Sequence, residues 1–388
     1  MEYSPVELSI VIPCLNEADT LADCIMDAKQ SIKENGISGE IIVADNGSID
    51  GSQEIAESLG AKVVKVKDIG YGNALMEGIN NAMGKYIIMA DADASYKFSE
   101  ISKFIERLRK GYSLVMGCRF PSGGGKILPG AMPVLHRWIG NPLFSFLARS
   151  WFNAPIYDVH CGMRGFTKEF YSKLDMHCTG MEFASEMVIK ASSFSSMISE
   201  VPITLYPDGR KTSKKHLKTF RDGWRHLRFY LMFSPKWLFF IPGILLVLIG
   251  ILGYLVVIPS LKVFDRIFDV HTLLFASLFI ICGYQSIVFA ILANTYVINE
   301  GLKPKDVFMT KFWNVVKLEI GLLTGMLLML CGITLLAGII YYWMSINFGS
   351  FDYRITMRWI IPGVTLTALG FQTVLLSFFG SILGLKKK

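Results

Sequence analysis

Asp91 and Asp93, one residue apart, directly follow an apolar run at 86–90. Hard carboxylate oxygens in that spacing suit Mg2+ or Mn2+, and such a cation neutralises charge developing on a departing diphosphate. A lone pair of this kind is common on exposed loops. Here Asp91-Ala92-Asp93 closes a strand-like run, which favours a functional reading over simple solvation. Cationic side chains supply the other half of a phosphate chemistry. Arg119, Arg164 and Arg210 offer bidentate phosphate contacts and Lys211 a point charge. A phosphate monoester has a second pKa of about 6, so at neutral pH it is already a nucleophile. Bringing it to a diphosphate-activated carbon demands cationic positioning more than a strong base.

The elements that must position these residues are legible as alternating patterns. Apolar runs of strand length fall at 8–12, 41–44, 63–66, 86–90 and 113–117, separated by helical stretches near 17–34, 51–59, 71–83 and 98–110. Alternation of this kind predicts an α/β, doubly wound and mostly parallel sheet with helices on both faces. Ligands of such sheets bind beyond the carboxyl ends of the strands. Those ends carry Pro13-Cys14-Leu15-Asn16-Glu17, Asp45-Asn46-Gly47-Ser48, Asp91-Ala92-Asp93 and Cys118-Arg119-Phe120. No glycine fingerprint follows the first run; Gly70-Tyr71-Gly72 lacks a third glycine and comes too late, which disfavours a dinucleotide site. A Walker A sequence is also missing. Seven scattered cysteines without a CxxC pair fit reduced, packed thiols.

The chain has 388 residues, positive mean hydropathy (+0.42) and 13% aromatic side chains, values unusual for a soluble enzyme. Its apolar content is concentrated beyond Lys236. Four segments, 237–258, 271–298, 318–344 and 357–384, reach membrane-spanning length. Lys and Arg crowd 210–236, the loop at 303–317 and the tail at 386–388, and are sparser in the other two loops. That bias predicts both termini and the N-terminal domain on the cytoplasmic side, in keeping with an N-terminus that lacks a signal-peptide pattern. It also accounts for the net charge of +7 without a nucleic-acid partner. Two stretches, 127–152 and 217–234, mix aromatic and aliphatic residues with Arg and His as interfacial helices do. The implied organisation is a catalytic domain at 1–215, a juxtamembrane amphipathic helix at 216–236 and a four-span all-α domain at 237–388. Asn294 and Gln372, the main amides inside the spans, read as links between helices.

The stretches SIVIPCLNEADTL, IIVADNGSIDGS, IGYGNALMEGINNAMGKYIIMADADASY, GCRFPSGG, DVHCGMRGF, MEFASEMVIKA and VPITLYPDGRKTS resemble, in order and spacing, the polyprenyl-phosphate glycosyltransferases of family 2. The dolichyl-phosphate mannose synthase and bactoprenol glucosyltransferase types are included. The resemblance covers about 1–235 and implies a GT-A fold, a divalent metal and inversion at the anomeric carbon. It implies that Pro13, Leu15, Glu17 and Asp45 frame the base and ribose, and that Asp91, Ala92 and Asp93 meet diphosphate and metal. Arg119 would meet a donor or acceptor phosphate, and Asp158, with Arg164 close behind, takes a catalytic or sugar-orienting role. Glu182 and Glu186 would bond the sugar or hold its pocket, while Arg210, Lys211 and Ser213 lie on a loop closing over the phosphates. Ser95 stands where many relatives carry glutamine, leaving the third metal ligand open; His160 and Cys161 read as packing.

The implied reaction moves a hexose from a nucleotide-sugar donor, with UDP-glucose as the lead, to a polyprenyl (undecaprenyl or dolichyl) phosphate at the cytoplasmic face of the lipid bilayer. A homo-oligomer is compatible with it. A processive polysaccharide synthase of the same superfamily is the enzyme rival, but its QxxRW motif is missing: Trp138 and Trp224 adjoin arginines without the glutamine. A non-catalytic membrane scaffold or lipid transporter would have lost the carboxylates, which are intact.

Overall fold

The computed structural model describes residues 6–194, 197–211, 219–263, 266–299, 317–350 and 352–384. The chain divides into two compact units, Met1–Tyr230 and Leu231–Lys388. The division falls inside the juxtamembrane stretch expected at 216–236.

The first unit is built on a seven-stranded sheet in the order β3-β2-β1-β4-β7-β5-β8. Its strands are β1 (Leu8–Cys14), β2 (Gly39–Asp45), β3 (Lys62–Lys65), β4 (Tyr86–Met89), β5 (Leu114–Cys118), β7 (Arg164–Thr167) and β8 (Ile198–Pro202). Pairing is parallel except for β7, which runs antiparallel to β4 and β5. The central strand β1 is almost continuously buried, as a parallel strand covered on both faces must be. In register, Cys14 lies opposite Asp45 and Val11 opposite Met89. Residues 13–17, 45–48 and 91–93 therefore emerge at one edge.

The helices are α1 (Leu21–Glu34), α2 (Ser52–Ser58), α3 (Tyr71–Asn80), α4 (Ile101–Arg109), α5 (Asn141–Phe152), α6 (Lys168–Leu174), α7 (Phe183–Ser193) and α8 (Thr219–Phe233), the last of which crosses the boundary between the units. α4 shows why they form: Ile101, Phe104, Ile105 and Leu108 make one buried stripe at helical spacing. In α3, Gly78 faces β1, where a Cβ would lie 2.6 Å from Val11 Cγ1. α1 starts four residues later than the helical pattern suggests, because Asn16 takes a left-handed φ of 57° and the chain must turn before it can wind. The stretch at 127–152 is not one helix. β6 (Lys126–Ile127) pairs with β9 (Thr204–Leu205), and a π-helical turn, His136–Gly140, then runs into α5.

The second unit contains α9 (Ile241–Val257, led in by a π-helical turn at Lys236–Phe240), α10 (Val270–Asn299), α11 (Leu318–Ser345) and α12 (Tyr353–Gly384), with a short hairpin of β10 (Lys262–Val263) and β11 (Arg266–Ile267). Among the described residues, four helices of this unit are long and apolar enough to cross a membrane. Their backbones approach closely through glycine. A Cβ on Gly250 would lie 2.6 Å from Ala276 O, and one on Gly325 would lie 2.8 Å from Gly370 O. Lys303, Lys305, Lys311 and the tail lysines lie outside the described residues.

Candidate active site

Four loops at the carboxyl edge of the sheet build the site. The turn after β4 is tied from both sides: Thr20 Oγ1 donates to Ala92 O at 2.6 Å, and Gly209 N donates to Asp93 O at 2.9 Å. Ala94 takes a left-handed φ of 58° to complete it. Asp91 Oδ1 accepts a hydrogen bond of 2.8 Å from the Tyr71 hydroxyl. Its other oxygen lies against the backbone of Gly162, where a Cβ would come within 2.4 Å. Burial and then the neighbouring Asp93 charge push the Asp91 carboxyl up to about 6, while the Tyr71 bond, Arg210 and Arg119 pull it back. Ser95 does not stand open as a third ligand. Its hydroxyl donates to Asp93 Oδ1 at 2.5 Å, and its N–H bonds the same oxygen at 3.0 Å, so it fixes Asp93.

No group of three His, Cys, Asp or Glu is placed to hold a metal among the described residues. Two mutually repelling carboxylates with hard oxygens nevertheless fit Mg2+ or Mn2+. Such ions take one or two protein carboxylates and complete their shell with water and substrate phosphate.

Arg119 and Asp158 form a buried fork. Arg119 Nε donates to Asp158 Oδ2 at 2.7 Å, Nη2 to Oδ1 at 2.8 Å, and the Arg119 backbone N–H to Oδ2 at 3.0 Å. With both oxygens engaged and no exposure, Asp158 orients Arg119. The third guanidinium nitrogen, Nη1, points toward Tyr96 Oη at 3.4 Å, and that hydroxyl accepts from Gly162 N at 2.9 Å. Glu200 of β8 holds the turn from behind, accepting from Tyr157 N at 2.8 Å and Asp158 N at 2.9 Å.

Arg164 departs from the expected phosphate role. Its side chain is fully buried, and its guanidinium donates to the carbonyls of Cys161 and Ala184, at 2.7 and 2.8 Å. Inside the core it clasps the 158–162 turn to α7 and presents no face to a ligand. Glu186 is buried too, and of the two roles expected of it the direct sugar contact is the one its geometry does not offer. It pairs with Lys190 at 2.8 Å, both side chains only 2% exposed, and accepts from His177 N and Cys178 N. Both groups of that pair anchor a loop. Glu182, at the start of α7, keeps one buried oxygen without a hydrogen-bond partner among the described residues, and so retains capacity toward a hydroxyl.

The described nucleotide-side candidates lie at the carboxyl edge of the sheet. Glu17, 4% exposed, pairs with Arg210 through Oε2 at 2.7 Å and Oε1 at 2.5 Å. Arg210 Nη1 lies 3.2 Å from Asp208 and 3.9 Å from Asp93, bridging the two carboxylate groups. Asp45 accepts from Gly47 N, Ser48 N and Gln53 Nε2, which shapes the loop after β2. Pro13 and Leu15 are half-buried at the same edge, and Lys211, which bonds Asp19 through its backbone N–H, is exposed. Ser213 lies outside the described residues. His160 bonds Asn141 and packs 4.4 Å from the His226 ring; all seven cysteines are free thiols, with Cys14, Cys24, Cys118 and Cys161 packed as expected and Cys282 and Cys331 exposed on the apolar helices. Tyr71, Tyr96 and Glu200 escaped the sequence reading. Tyr71 lay inside the dismissed Gly70-Tyr71-Gly72; the other two had no local signal.

The pattern of glycosyl transferase family 2 matches residues 9–175, and that of the family 2 C-terminal transmembrane region matches 291–384. The low-salt glycan biosynthesis hexosyltransferase Agl6 of Haloferax volcanii is 35% identical, over 97% of this chain and 89% of its own length. The chain belongs to glycosyltransferase family 2. A dolichyl-phosphate hexose transferase of the same organism is similar to this family 2 enzyme at 27% identity, over 57% of this chain and 91% of the relative. Among solved structures, glucosyl-3-phosphoglycerate synthase from Mycobacterium tuberculosis in complex with Mn2+ and uridine diphosphate aligns at 19% identity. It covers 59% of this chain and 78% of that one, with a TM-score of 0.44. This family 2 glycosyltransferase is thus a membrane protein whose C-terminal helices carry the family's own transmembrane signature.

Proposed function

We propose that this glycosyltransferase transfers a hexose, with inversion, from a nucleotide-sugar to a polyprenyl phosphate at the cytoplasmic face of the membrane. UDP-glucose is the lead donor. The relatives named as a hexosyltransferase and a dolichyl-phosphate hexose transferase support sugar and lipid class. The observation that carries the reading is the convergence of Asp91 and Asp93 with Arg119 and Arg210 at one sheet edge.

Asp91 and Asp93 would hold the Mg2+ or Mn2+, which neutralises the departing nucleoside diphosphate. Glu17 and Asp45 border the base and ribose. Arg119, locked by Asp158, offers a preorganised cationic edge to phosphate without reorganising during the reaction. The acceptor phosphate is already anionic, so a buried, doubly bonded Asp158 is not needed as a base. Arg210, held between Glu17 and Asp93, adds a second positive group over the same place.

The membrane side of the proposal rests on exposed apolar residues. Trp138 and Phe146 before and within α5 are 70% and 56% exposed, and Phe220 and Trp224 of α8 are 85% and 59% exposed. Rings of α5 meet Tyr230 of α8 edge-on, with Phe152 at 5.5 Å, so these residues belong to adjacent helices of the first unit. The four apolar helices follow directly in sequence, and a bilayer would cover such a face.

Membranes containing the full chain should convert radiolabelled nucleotide-sugar, Mn2+ and polyprenyl phosphate into a chloroform-soluble, mild-acid-labile glycolipid. Asp91→Asn and Asp93→Asn should each lower the rate at least about a thousandfold while membrane insertion persists. Near-normal turnover in both variants rejects the proposal; label in a long polymer points instead to a processive synthase.

A further inference from the structure

We propose that Tyr71 is a positioning residue for Asp91, and that the buried Glu186–Lys190 pair holds the loop against which Tyr71 is set. The proposal rests on the reading of Asp91 as a cation-binding carboxylate.

Gly70-Tyr71-Gly72 has no dinucleotide to bind, yet both glycines are structurally required. A Cβ on Gly70 would lie 2.4 Å from Thr179 O, and one on Gly72 would lie 2.2 Å from Cys178 O. The start of α3 is therefore pressed backbone to backbone on residues 178–179, a contact sealed by Gly72 N donating to Thr179 O at 2.9 Å. Asn46, beside Asp45, fastens the same point from the other side through Nδ2 to Gly70 O at 3.0 Å. Between the two glycines, Tyr71 has one backbone position available, and its hydroxyl ends on Asp91 Oδ1 at 2.8 Å.

The 178–179 segment is fixed in turn by α7. Glu186 accepts the backbone N–H groups of His177 and Cys178, at 3.1 and 2.8 Å. Lys190, paired with Glu186, donates to Asp175 O at 2.5 Å. A buried ion pair is weak evidence for stability, but displacing either partner leaves an uncompensated buried charge, which opposes movement of Glu186 and Lys190 from the 175–178 loop. The chain of contacts runs from α7 through 175–179 to Tyr71 and then to Asp91. With Oδ1 tethered by Tyr71 and Oδ2 walled by Gly162, Asp91 has one carboxylate orientation, and outer-shell tethers of this kind govern metal affinity.

Tyr71→Phe removes one oxygen and leaves the packing. In the purified full chain, calorimetric titration with Mn2+ in the presence of uridine diphosphate should show affinity at least tenfold weaker than wild type, with the melting temperature lowered by only the few degrees that one lost buried hydrogen bond predicts. Kinetically, the Mn2+ concentration for half-maximal rate should rise by the same factor, and kcat at saturating Mn2+ should stay within about threefold. Gly72→Ala, which forces α3 off residues 178–179, should reproduce the metal defect with Tyr71 present. Wild-type Mn2+ affinity in Tyr71→Phe, alongside its loss in Asp91→Asn, overturns the role of Tyr71 and leaves the site reading intact. Equal Mn2+ affinity in wild type and Asp91→Asn overturns the cation-site reading itself.

Discussion

The two units of this glycosyltransferase satisfy their buried polar groups by opposite means. In the first, charges are buried against fixed partners: Arg119 with Asp158, Lys190 with Glu186, Glu17 with the half-buried Arg210, and Arg164 with backbone carbonyls. In the second, the buried polar groups are largely hydroxyls. Thr365 donates to Ile361 O in its own helix while meeting Tyr254 at 2.8 Å and Ser277 at 2.5 Å across helices, and Tyr284 meets Thr373 at 2.6 Å. The difference reflects what each unit must do. A site for anions needs fixed charges, and the low-dielectric penalty of burying them is offset only by good geometry. Helices in hydrocarbon already satisfy their own backbones, so association relies on close approach at glycine and a few weak hydroxyl contacts.

The sharpest way to break this contrast is to leave one buried charge alone. Asp158→Ala strands Arg119 and should destabilise the first unit by about 3–5 kcal/mol, seen as a large fall in its melting temperature. A loss under about 1 kcal/mol would show that water reaches the pair. Gly325→Leu tests the other unit, since its Cβ would meet Gly370 O and Val374. It should weaken α11–α12 packing by about 1–3 kcal/mol, read as lower detergent resistance, while nucleotide binding by the first unit is preserved.

A further effect depends on pH. Burial pulls His226 down to about 4, opposed by Glu182 and Asp222, and holds the stacked His160 low as well. A histidine whose folded pKa is depressed contributes stability above its ordinary value of about 6.5, and that contribution is lost as pH falls toward the folded value. Glu200 has the opposite sign: pushed up to about 7 by burial, it favours the folded state as pH falls from about 7 to its ordinary range. The readout is therefore the difference between wild type and His226→Gln. Wild type should lose stability relative to the variant as pH falls from about 6.5 to about 4, by at most about 1.4 kcal/mol per pH unit. Parallel stability–pH curves would show that His226 is not the titrating group.

Much of this arrangement is written locally in the chain. Continuous apolar runs marked β1, β2 and β4, and their last residues already placed Glu17, Asp45, Asp91 and Asp93 at one edge. Four long apolar runs marked the spans, because hydrophobicity and its period are properties of neighbouring residues. β7 and β8 left no such trace: Arg164-Gly165-Phe166-Thr167 is too short and mixed, and β8 carries Ser199 and Glu200. Charged residues were recognisable by type, but not by direction. Arg164 and Glu186 turned inward to clasp backbone, whereas Arg119 turned to Asp158 and Arg210 spans Glu17 and Asp93. Those outcomes depend on partners distant along the chain, 39 residues for Arg119–Asp158 and 193 for Arg210–Glu17. Only the sheet order and the loops it brings together fix which charge meets which, because a side chain's burial and pairing are set by whatever folds against it.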